Sequence, residues 1–316
     1  MELKHAHQVP FNELLNETID IVIAACGYES RSSHLVQLSN FNAKRKIAFL
    51  FNEEKDCNIH KQNQLIYQEK GFECYFLNSN GIDEITELLE NICSNASCDN
   101  IKLIVDYSSM TKLWYGTIIK YFAFNDLEFN NLVVYFCYTP EHFLPPTIRK
   151  GKLADPQPLL SNGPSMNQNK PLVLIIGLGY DEAKIEFLCD FFKPHDVFFY
   201  LPNPSFDAQC TILIQKSNKS VLANVKPSHL MHYAENNIED IDSKLTSLCL
   251  SLRLKYRTIM VSLGPKTFSL ANFLLNARYP DVEIWNMSGN EQSIDLKAAG
   301  VPIVYKAILT NIDEDY

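Results

Sequence analysis

Short apolar runs alternate with longer amphipathic stretches along the 316 residues of this chain. The short runs are rich in β-branched and aromatic residues, and the longer stretches repeat apolar positions every three to four residues. This order is typical of parallel strands that are joined by helices. In the first half it predicts strands at 19–25, 46–51, 72–77, 101–105 and 132–138, and helices at 31–38, 58–69, 82–93 and 111–124.

The pattern is interrupted between residues 141 and 170, where proline, asparagine, glutamine and serine are frequent. We expect a linker here, with a hairpin arm at 148–153, between a first domain at 1–140 and a second domain at 171–316. The strand pattern then resumes. It predicts strands at 171–176, 197–201, 221–225, 258–262 and 282–287, a helix that ends at 192, and helices at 208–216, 238–252 and 266–276.

The two halves repeat the same short motifs in the same order. The first strand of each half leads into Gly-Tyr and an acidic residue, at 27–29 and at 179–181. The second strand leads into Asn52 in one half and Asn203 in the other, and the fourth leads into a Thr/Lys pair. We therefore predict an α/β fold of two Rossmann-like parallel-sheet domains related by internal duplication.

Composition narrows the class of protein and its partners. The formal net charge of -9 disfavours a protein that grips long nucleic acid without sequence preference, since that needs broad basic surface. Nine cysteines, without a C-x-x-C pair, indicate reduced and mostly buried thiols in a cytoplasmic protein. The start of the chain lacks the apolar core of a signal peptide, and no apolar run is long enough for a membrane helix.

The polar loop after the fourth predicted strand is the strongest candidate for chemistry. It carries Asp106, Ser108, Ser109, Thr111 and Lys112 between an apolar run and a helix. Hydroxyls, an ammonium group and the N–H groups of a helix N-terminus can together hold a phosphate. Open α/β sheets bind ligands at this end of their strands, which favours a pocket. The alternative is that the loop caps the helix while Lys112 lies in solvent.

A second polar turn follows the first predicted strand. It contains Gly27, Tyr28, Glu29, Arg31 and Ser32. In a doubly wound sheet the first and fourth strands flank the crevice, so we expect this turn beside the lysine loop. Arg31 could bind a phosphate, Tyr28 could stack on a base, and Glu29 could bind a ribose or act as a base. The alternative is an ordinary ion pair of Glu29 with Arg31 on the surface.

Other motifs are weak and predict neither a cofactor nor a metal. Gly177 and Gly179 lack the third glycine of the dinucleotide fingerprint, since Glu182 takes its place. The histidine pairs at 5/7 and 229/232 have no nearby set of cysteines or carboxylates with metal-ligand spacing.

The segment from Asp106 to Lys112 resembles the fourth-strand motif of CRISPR-associated Rossmann-fold (CARF) domains. Two such halves in one chain are similar to the SAVED sensors of bacterial cyclic-nucleotide defence systems. The resemblance implies that the first-strand turn and the lysine loop bind a cyclic oligonucleotide second messenger, which some members also cleave. It carries over to Gly27, Tyr28, Glu29, Arg31, Asp106, Ser108, Ser109, Thr111 and Lys112, with second-half counterparts at Gly179, Tyr180, Lys266 and Thr267.

We therefore expect a nucleotide-sensing regulatory protein of bacterial anti-phage defence, which binds a small phosphorylated nucleotide, linear or cyclic. Its expected partners are a separate effector protein and, as an option, a second copy in a homodimer. An alternative is a metal-independent ring nuclease or nucleotide hydrolase, with Glu29, Arg31, Asp106 and Lys112 as catalytic candidates. A further alternative is a scaffold subunit that binds no ligand.

Overall fold

The computed structural model describes residues 1–94, 99–145, 153–159, 169–287 and 294–311. The chain forms two compact units, one from Met1–His142 with Ser293–Tyr316 and the other from Phe143–Gln292. Each unit is built on a mostly parallel sheet covered by helices, so the predicted α/β class with two Rossmann-like domains is confirmed.

Unit 1 contains seven strands in its described residues, and elements are numbered along the whole chain. Its strands are β1 (Glu2–Val9), β2 (Ile19–Cys26), β3 (Ala43–Phe51), β4 (Glu73–Leu77), β5 (Asn100–Asp106), β6 (Asn131–Tyr138) and β13 (Ile303–Thr310). Its helices are α1 (Phe11–Leu15), α2 (His34–Leu38), α3 (Asn58–Glu69), α4 (Ile82–Ser94) and α5 (Lys112–Phe124), with short 3-10 helices at Ser30–Ser33 and Asn52–Glu54.

The sheet of unit 1 has the order β1-β13-β6-β5-β2-β3-β4. Five neighbouring strands, β4, β3, β2, β5 and β6, are parallel to one another. The other two, β13 and β1, are antiparallel to their neighbours. Helices α1, α2 and α3 pack on one face of the sheet through Leu14, Leu35 and Tyr67. Leu89 and Phe122 bring α4 and α5 against β2 and β5 on the other face. The change of face between β2 and β5 makes this sheet doubly wound.

Unit 2 repeats this arrangement in a shorter form. Its strands are β7 (Gln157–Pro158), β8 (Leu172–Gly177), β9 (Asp196–Pro202), β10 (Leu230–Tyr233), β11 (Arg257–Ser262) and β12 (Glu283–Asn286). Its helices are α6 (Glu182–Phe192), α7 (Ala208–Ser217), α8 (Lys219–Leu222), α9 (Ile238–Leu252) and α10 (Lys266–Arg278), with a 3-10 helix at Pro227–His229.

The parallel part of the second sheet has the same strand order as the first. Its order is β10-β9-β8-β11-β12, and β7 pairs antiparallel with β12. Ile185, Leu188 and Ile214 pack α6 and α7 on one face. Helix α9 lies on the other face, where the hydroxyl of Tyr200 donates to the carbonyl of Lys244 at 3.1 Å. Two sheets with this common order and a common change of face support the predicted duplication.

Two predictions from the sequence need correction. The second domain does not extend to residue 316, because β13 returns to unit 1 and lies between β1 and β6. The segment 221–225 is not a strand, because α8 occupies its first residues and the third strand of unit 2 is β10. Within the predicted linker, Gln157–Pro158 forms β7. Of the hairpin arm predicted at 148–153, residues 148–152 lie outside the described residues.

The eight cysteines in the described residues are free thiols, of which four are buried and four are partly exposed. None of the helices in the described part of the chain combines the length and apolar character that crossing a lipid bilayer requires.

Candidate functional site

The candidate site lies at the carboxyl ends of β2 and β5. These strands are parallel neighbours, and Ala24 of β2 is in register with Asp106 of β5. The segments that follow them are residues 27–33, which we call the β2 turn, and residues 107–111, which we call the β5 loop. Because the sheet changes face between these two strands, both segments border the crevice where doubly wound sheets bind ligands.

The β2 turn and the β5 loop are in direct contact. The hydroxyl of Ser109 donates to Glu29 Oε2 at 3.2 Å. A Cβ atom at Gly27 would lie 3.2 Å from the Cβ of Ser109, so a glycine lets the two backbones approach. The structure therefore brings together the two segments that the sequence singled out.

Several predicted site residues are buried and shape the two segments from within. Asp106 Oδ1 accepts hydrogen bonds from the backbone N–H and the hydroxyl of Ser108, at 3.1 and 2.5 Å. The Ser108 hydroxyl also accepts the N–H of Thr139 at 2.8 Å. Ser32 bridges the turn, because its hydroxyl accepts the N–H of Gly27 and donates to a carbonyl of β2. These three residues are at most 2% exposed, and their hydrogen bonds hold the backbone in place.

Arg31 has protein partners in place of the predicted phosphate. Its side chain is 2% exposed. The Nε atom donates to Glu29 at 2.7 Å, and a terminal nitrogen donates to the carbonyl of Thr139 at 3.1 Å and to the carboxylate of Glu141. Burial acts to lower the pKa of Arg31, but Tyr138 and the two carboxylates raise it above its ordinary value. Arg31 is therefore an internal cation that fixes the turn.

Asn63 is a site residue that the sequence analysis did not identify. It is 3% exposed on α3. Its amide nitrogen donates to the carbonyls of Gly27 and Glu29 at 3.0 and 2.9 Å. In unit 2 the buried Asn218 donates to the carbonyl of Gly179 at 2.8 Å. The repeat of an asparagine at a nearly constant distance from each glycine was the signal that could have revealed it.

The accessible part of the site consists of half-buried side chains at the ends of β2, β3 and β5, namely Tyr28, Asn52, Ser109, Thr111 and Lys112. Asn52 donates to the side-chain oxygen of Asn78 at 3.1 Å. The Thr111 hydroxyl caps α5, because it accepts the N–H of Trp114 at 3.2 Å. Lys112 is the first residue of α5, where the helix dipole favours negative charge. The capping alternative thus holds for Thr111, and Ser109 and Lys112 are half-buried residues on either side of it.

The charges of the site are unevenly distributed. On the β2 side, the single guanidinium of Arg31 faces two carboxylates, those of Glu29 and Glu141. On the β5 side, Lys112 stands at the positive end of a thirteen-residue helix. The N-terminus of α5 therefore suits an anionic group better than the β2 turn does, because the Glu29 carboxylate of that turn accepts the Ser109 hydroxyl.

The equivalent crevice of unit 2 is closed by its own backbone. A Cβ atom at Gly179 would lie 2.0 Å from the carbonyl oxygen of Leu263, and one at Gly264 would lie 2.3 Å from that of Leu178. A Cβ atom at Gly177 would meet the ring of Phe268. These glycines are explained by close packing, not by a dinucleotide. Tyr180 and Lys266 are half-buried at this edge, and Thr267 is buried.

The histidines of the pairs 5/7 and 229/232 make ordinary side-chain contacts. The rings of His5 and His7 stack at 4.7 Å, and His229 Nδ1 lies 3.0 Å from the carboxylate of Asp196. Among the described residues, no group of three or more His, Cys, Asp and Glu side chains is arranged to hold a metal ion.

Comparisons with known proteins add little. No protein-family model matches the chain, and no curated protein matches it. Among solved structures, the cytoplasmic domain of a prokaryotic cation chloride cotransporter is 8% identical, with a TM-score of 0.24; the match covers 86% of this chain and 95% of that one. An N-terminal ketoreductase from a macrolactin assembly line is also 8% identical with a TM-score of 0.24, covering 89% and 72%. Neither likeness bears on function.

Proposed function

We propose that this protein is a nucleotide-sensing regulatory protein whose ligand is a small phosphorylated nucleotide, linear or cyclic. The observation that carries the proposal is the contact of the β2 turn with the β5 loop at the switch point of the first sheet. Doubly wound sheets bind ligands at this place. A lysine at a helix N-terminus beside a half-buried serine hydroxyl suits a phosphate.

The charge distribution suggests how the ligand is oriented. The phosphate binds on the β5 side, where Ser109 and Lys112 donate to it. The sugar lies toward the β2 turn, where Glu29 accepts a hydroxyl. The base stacks on the half-buried ring of Tyr28. Arg31 contributes by holding Glu29 in place, at 2.7 Å, rather than by touching the phosphate.

The biological setting in this proposal is bacterial anti-phage defence in the cytoplasm. The support for it is the resemblance of residues 106–112 to CARF domains and the tandem arrangement of two Rossmann-like units. A regulatory protein of this kind changes shape or dynamics when its ligand binds the favoured state more tightly. Its output then passes to a separate effector protein or to a second copy of the chain.

One contact favours an enzyme on the same site as the second candidate. The Ser109 hydroxyl donates to Glu29, which is the arrangement of a hydroxyl beside a general base. In this case Glu29 activates a hydroxyl and Lys112 stabilises the charge that develops on the phosphate. The activity is that of a metal-independent ring nuclease or nucleotide hydrolase.

A single experiment separates the three candidates. The protein is incubated with a panel of mononucleotides, dinucleotides and cyclic oligonucleotides, and both the melting temperature and the recovered nucleotide are measured. A ligand at one hundred times its Kd stabilises the folded protein by about 2.7 kcal/mol. A raised melting temperature with intact nucleotide supports the sensor, and product formation supports the enzyme. No shift with any compound contradicts both and favours the scaffold.

A further inference from the structure

The chain passes between the two units twice, once after His142 and once before Ser293. The unit 1 segments next to these passages lie side by side. Glu141 forms an antiparallel bridge with Ala298. The N–H of His142 donates to the carbonyl of Lys297 at 2.9 Å, and the N–H of Ala299 donates to that of Pro140 at 2.8 Å. We call residues 139–142 and 294–300 the crossing pair.

Both segments of the crossing pair are bonded to the β2 turn. The guanidinium of Arg31 donates to Thr139 and Glu141 on one segment, and its backbone N–H donates to Leu296 on the other at 3.0 Å. The N–H and the hydroxyl of Ser30 donate to the two carboxylate oxygens of Asp295, at 2.6 and 2.9 Å. The turn that borders the candidate site therefore also anchors the two segments through which the chain leaves and re-enters unit 1.

Glu29 connects this anchor to the candidate site. Its Oε2 atom accepts both the Nε of Arg31, at 2.7 Å, and the hydroxyl of Ser109, at 3.2 Å. Two carboxylates thus share one buried guanidinium, Glu29 from the side of the site and Glu141 from the side of the crossing pair. Glu29 bonds Nε and Glu141 bonds a terminal nitrogen, so the two anions compete for the charge of the guanidinium and not for one N–H group. Removing the charge of one carboxylate also removes its repulsion of the other, which then attracts the guanidinium more strongly.

We propose that Arg31 couples the candidate site to the crossing pair through this competition. This inference rests on the proposed function and gives its regulation. A phosphate that takes the Ser109 hydroxyl leaves Arg31 as the remaining donor to Glu29 Oε2 and strengthens the contact between Glu29 and Arg31. Arg31 then binds Glu141 less firmly, and the crossing pair becomes less rigid. Occupancy of the site is read as faster opening of the segments that lead to unit 2.

The competition can be tested in the full chain without any ligand. Glu29→Gln keeps the shape of the side chain and removes its charge, and Glu141→Gln does the same on the other side. Amide hydrogen exchange of His142 and Ala299 reports opening of the crossing pair. We expect exchange to slow about fivefold in Glu29→Gln and to accelerate about fivefold in Glu141→Gln, since fivefold corresponds to about 1 kcal/mol. Opposite changes of the exchange rate in the two variants are what competition predicts.

A merely structural role for the cluster gives a different result. If Glu29 and Glu141 only stabilise the turn, both variants accelerate exchange, and that outcome overturns the proposal, as does no change in either. Glu53→Gln is the matched control, because Glu53 accepts the N–H of Ser79 at the same edge of the sheet, at 2.8 Å, and should leave exchange unchanged. If Glu141→Gln unfolds unit 1, Glu141→Asp withdraws the carboxylate from Arg31 and must still accelerate exchange. Because no nucleotide is needed, a failed nucleotide screen and a failed coupling are distinguishable.

Discussion

The buried amide of Asn63 holds the β2 turn together with Arg31 and Ser32. Asn63 donates to the carbonyls of Gly27 and Glu29, and its oxygen accepts the hydroxyl of Ser33 at 2.8 Å. We predict that Asn63→Ala destabilises the protein by about 1–3 kcal/mol, because buried carbonyls lose their donor. Urea unfolding measures the change. Asn58→Ala, at an exposed position of the same helix, should cost less than about 0.5 kcal/mol. Equal costs for the two variants would contradict this role.

His60 makes stability depend on pH. The residue is fully buried, neither ring nitrogen has a hydrogen-bond partner in the described part of the chain, and burial lowers its pKa. Below the ordinary histidine pKa of about 6.5, the unfolded chain therefore binds a proton that the folded chain does not, and stability falls as the pH falls. We predict that His60→Leu loses less stability than the wild type between neutral and acidic pH. Urea midpoints across that range measure this, with exposed His5→Leu as the control. Parallel curves for wild type and His60→Leu would refute it.

At the scale of single residues, the sequence predicts which two segments meet better than it predicts the contacts of each side chain. Polar residues at strand ends can be recognised locally, and Ser109 and Glu29 do meet. The partners of Arg31 cannot be recognised from the local sequence, because Glu141 lies 110 positions away. Long-range ion pairs of this kind leave no periodic signal, so an arginine predicted to bind phosphate is instead buried among carboxylates.

At the scale of elements, strong periodicity predicts well and short apolar runs do not. The helices at Asn58–Glu69 and Ile238–Leu252 match their predicted bounds, since both repeat apolar positions over several turns. The run from Val221 to Val225 is too short for its pattern to distinguish a helix from a strand. Its larger apolar side chains, on α8 and just after it, are partly buried against the core of unit 2. β1 was missed because polar and histidine side chains occupy most of its positions.

Glycine also acts at the scale of elements, where it sets how closely two strand ends approach. In unit 2, a methyl group at Gly179 would overlap the backbone of Leu263, whereas in unit 1 a methyl group at Gly27 meets a side chain at 3.2 Å. Overpacking typically lowers the free energy of unfolding by about 1–3 kcal/mol. We predict that Gly179→Ala lowers it by about 3 kcal/mol or more, and that Gly27→Ala lowers it by clearly less. Thermal unfolding of both variants measures this. A larger loss for Gly27→Ala would show that the crevice of unit 2 is not closed by backbone contact.

At the scale of the whole molecule, the number and class of domains follow from the sequence, but their boundaries do not. Repeated strand and helix patterns are local and reveal two sheets. The pairing of β1 with β13 joins residues near opposite ends of the chain, and no local pattern encodes such a partner. For this reason the sequence pattern predicts the wrong domain for the C-terminal segment.

The return of β13 has a testable consequence for unit 1. Val304 is 1% exposed on this strand and packs in the core cluster that contains Leu14 and Tyr67. We predict that Val304→Asp, which buries an unpaired charge, removes hydrogen-exchange protection from β1 and β6. Val301→Asp, at a position 62% exposed, should leave that protection intact. Retained protection in Val304→Asp would mean that unit 1 folds without β13.

The central claim is that the crevice of the first sheet binds a phosphorylated nucleotide. Its most direct test is the Kd of any nucleotide that raises the melting temperature, measured for wild type, Lys112→Ala and Lys61→Ala, the last being an exposed lysine on α3. Loss of a charged donor to phosphate should raise the Kd about tenfold or more in Lys112→Ala, with the ligand-free melting temperature nearly unchanged. Lys61→Ala should bind like the wild type. An unaltered Kd in Lys112→Ala, or a large loss of ligand-free stability, would contradict the account.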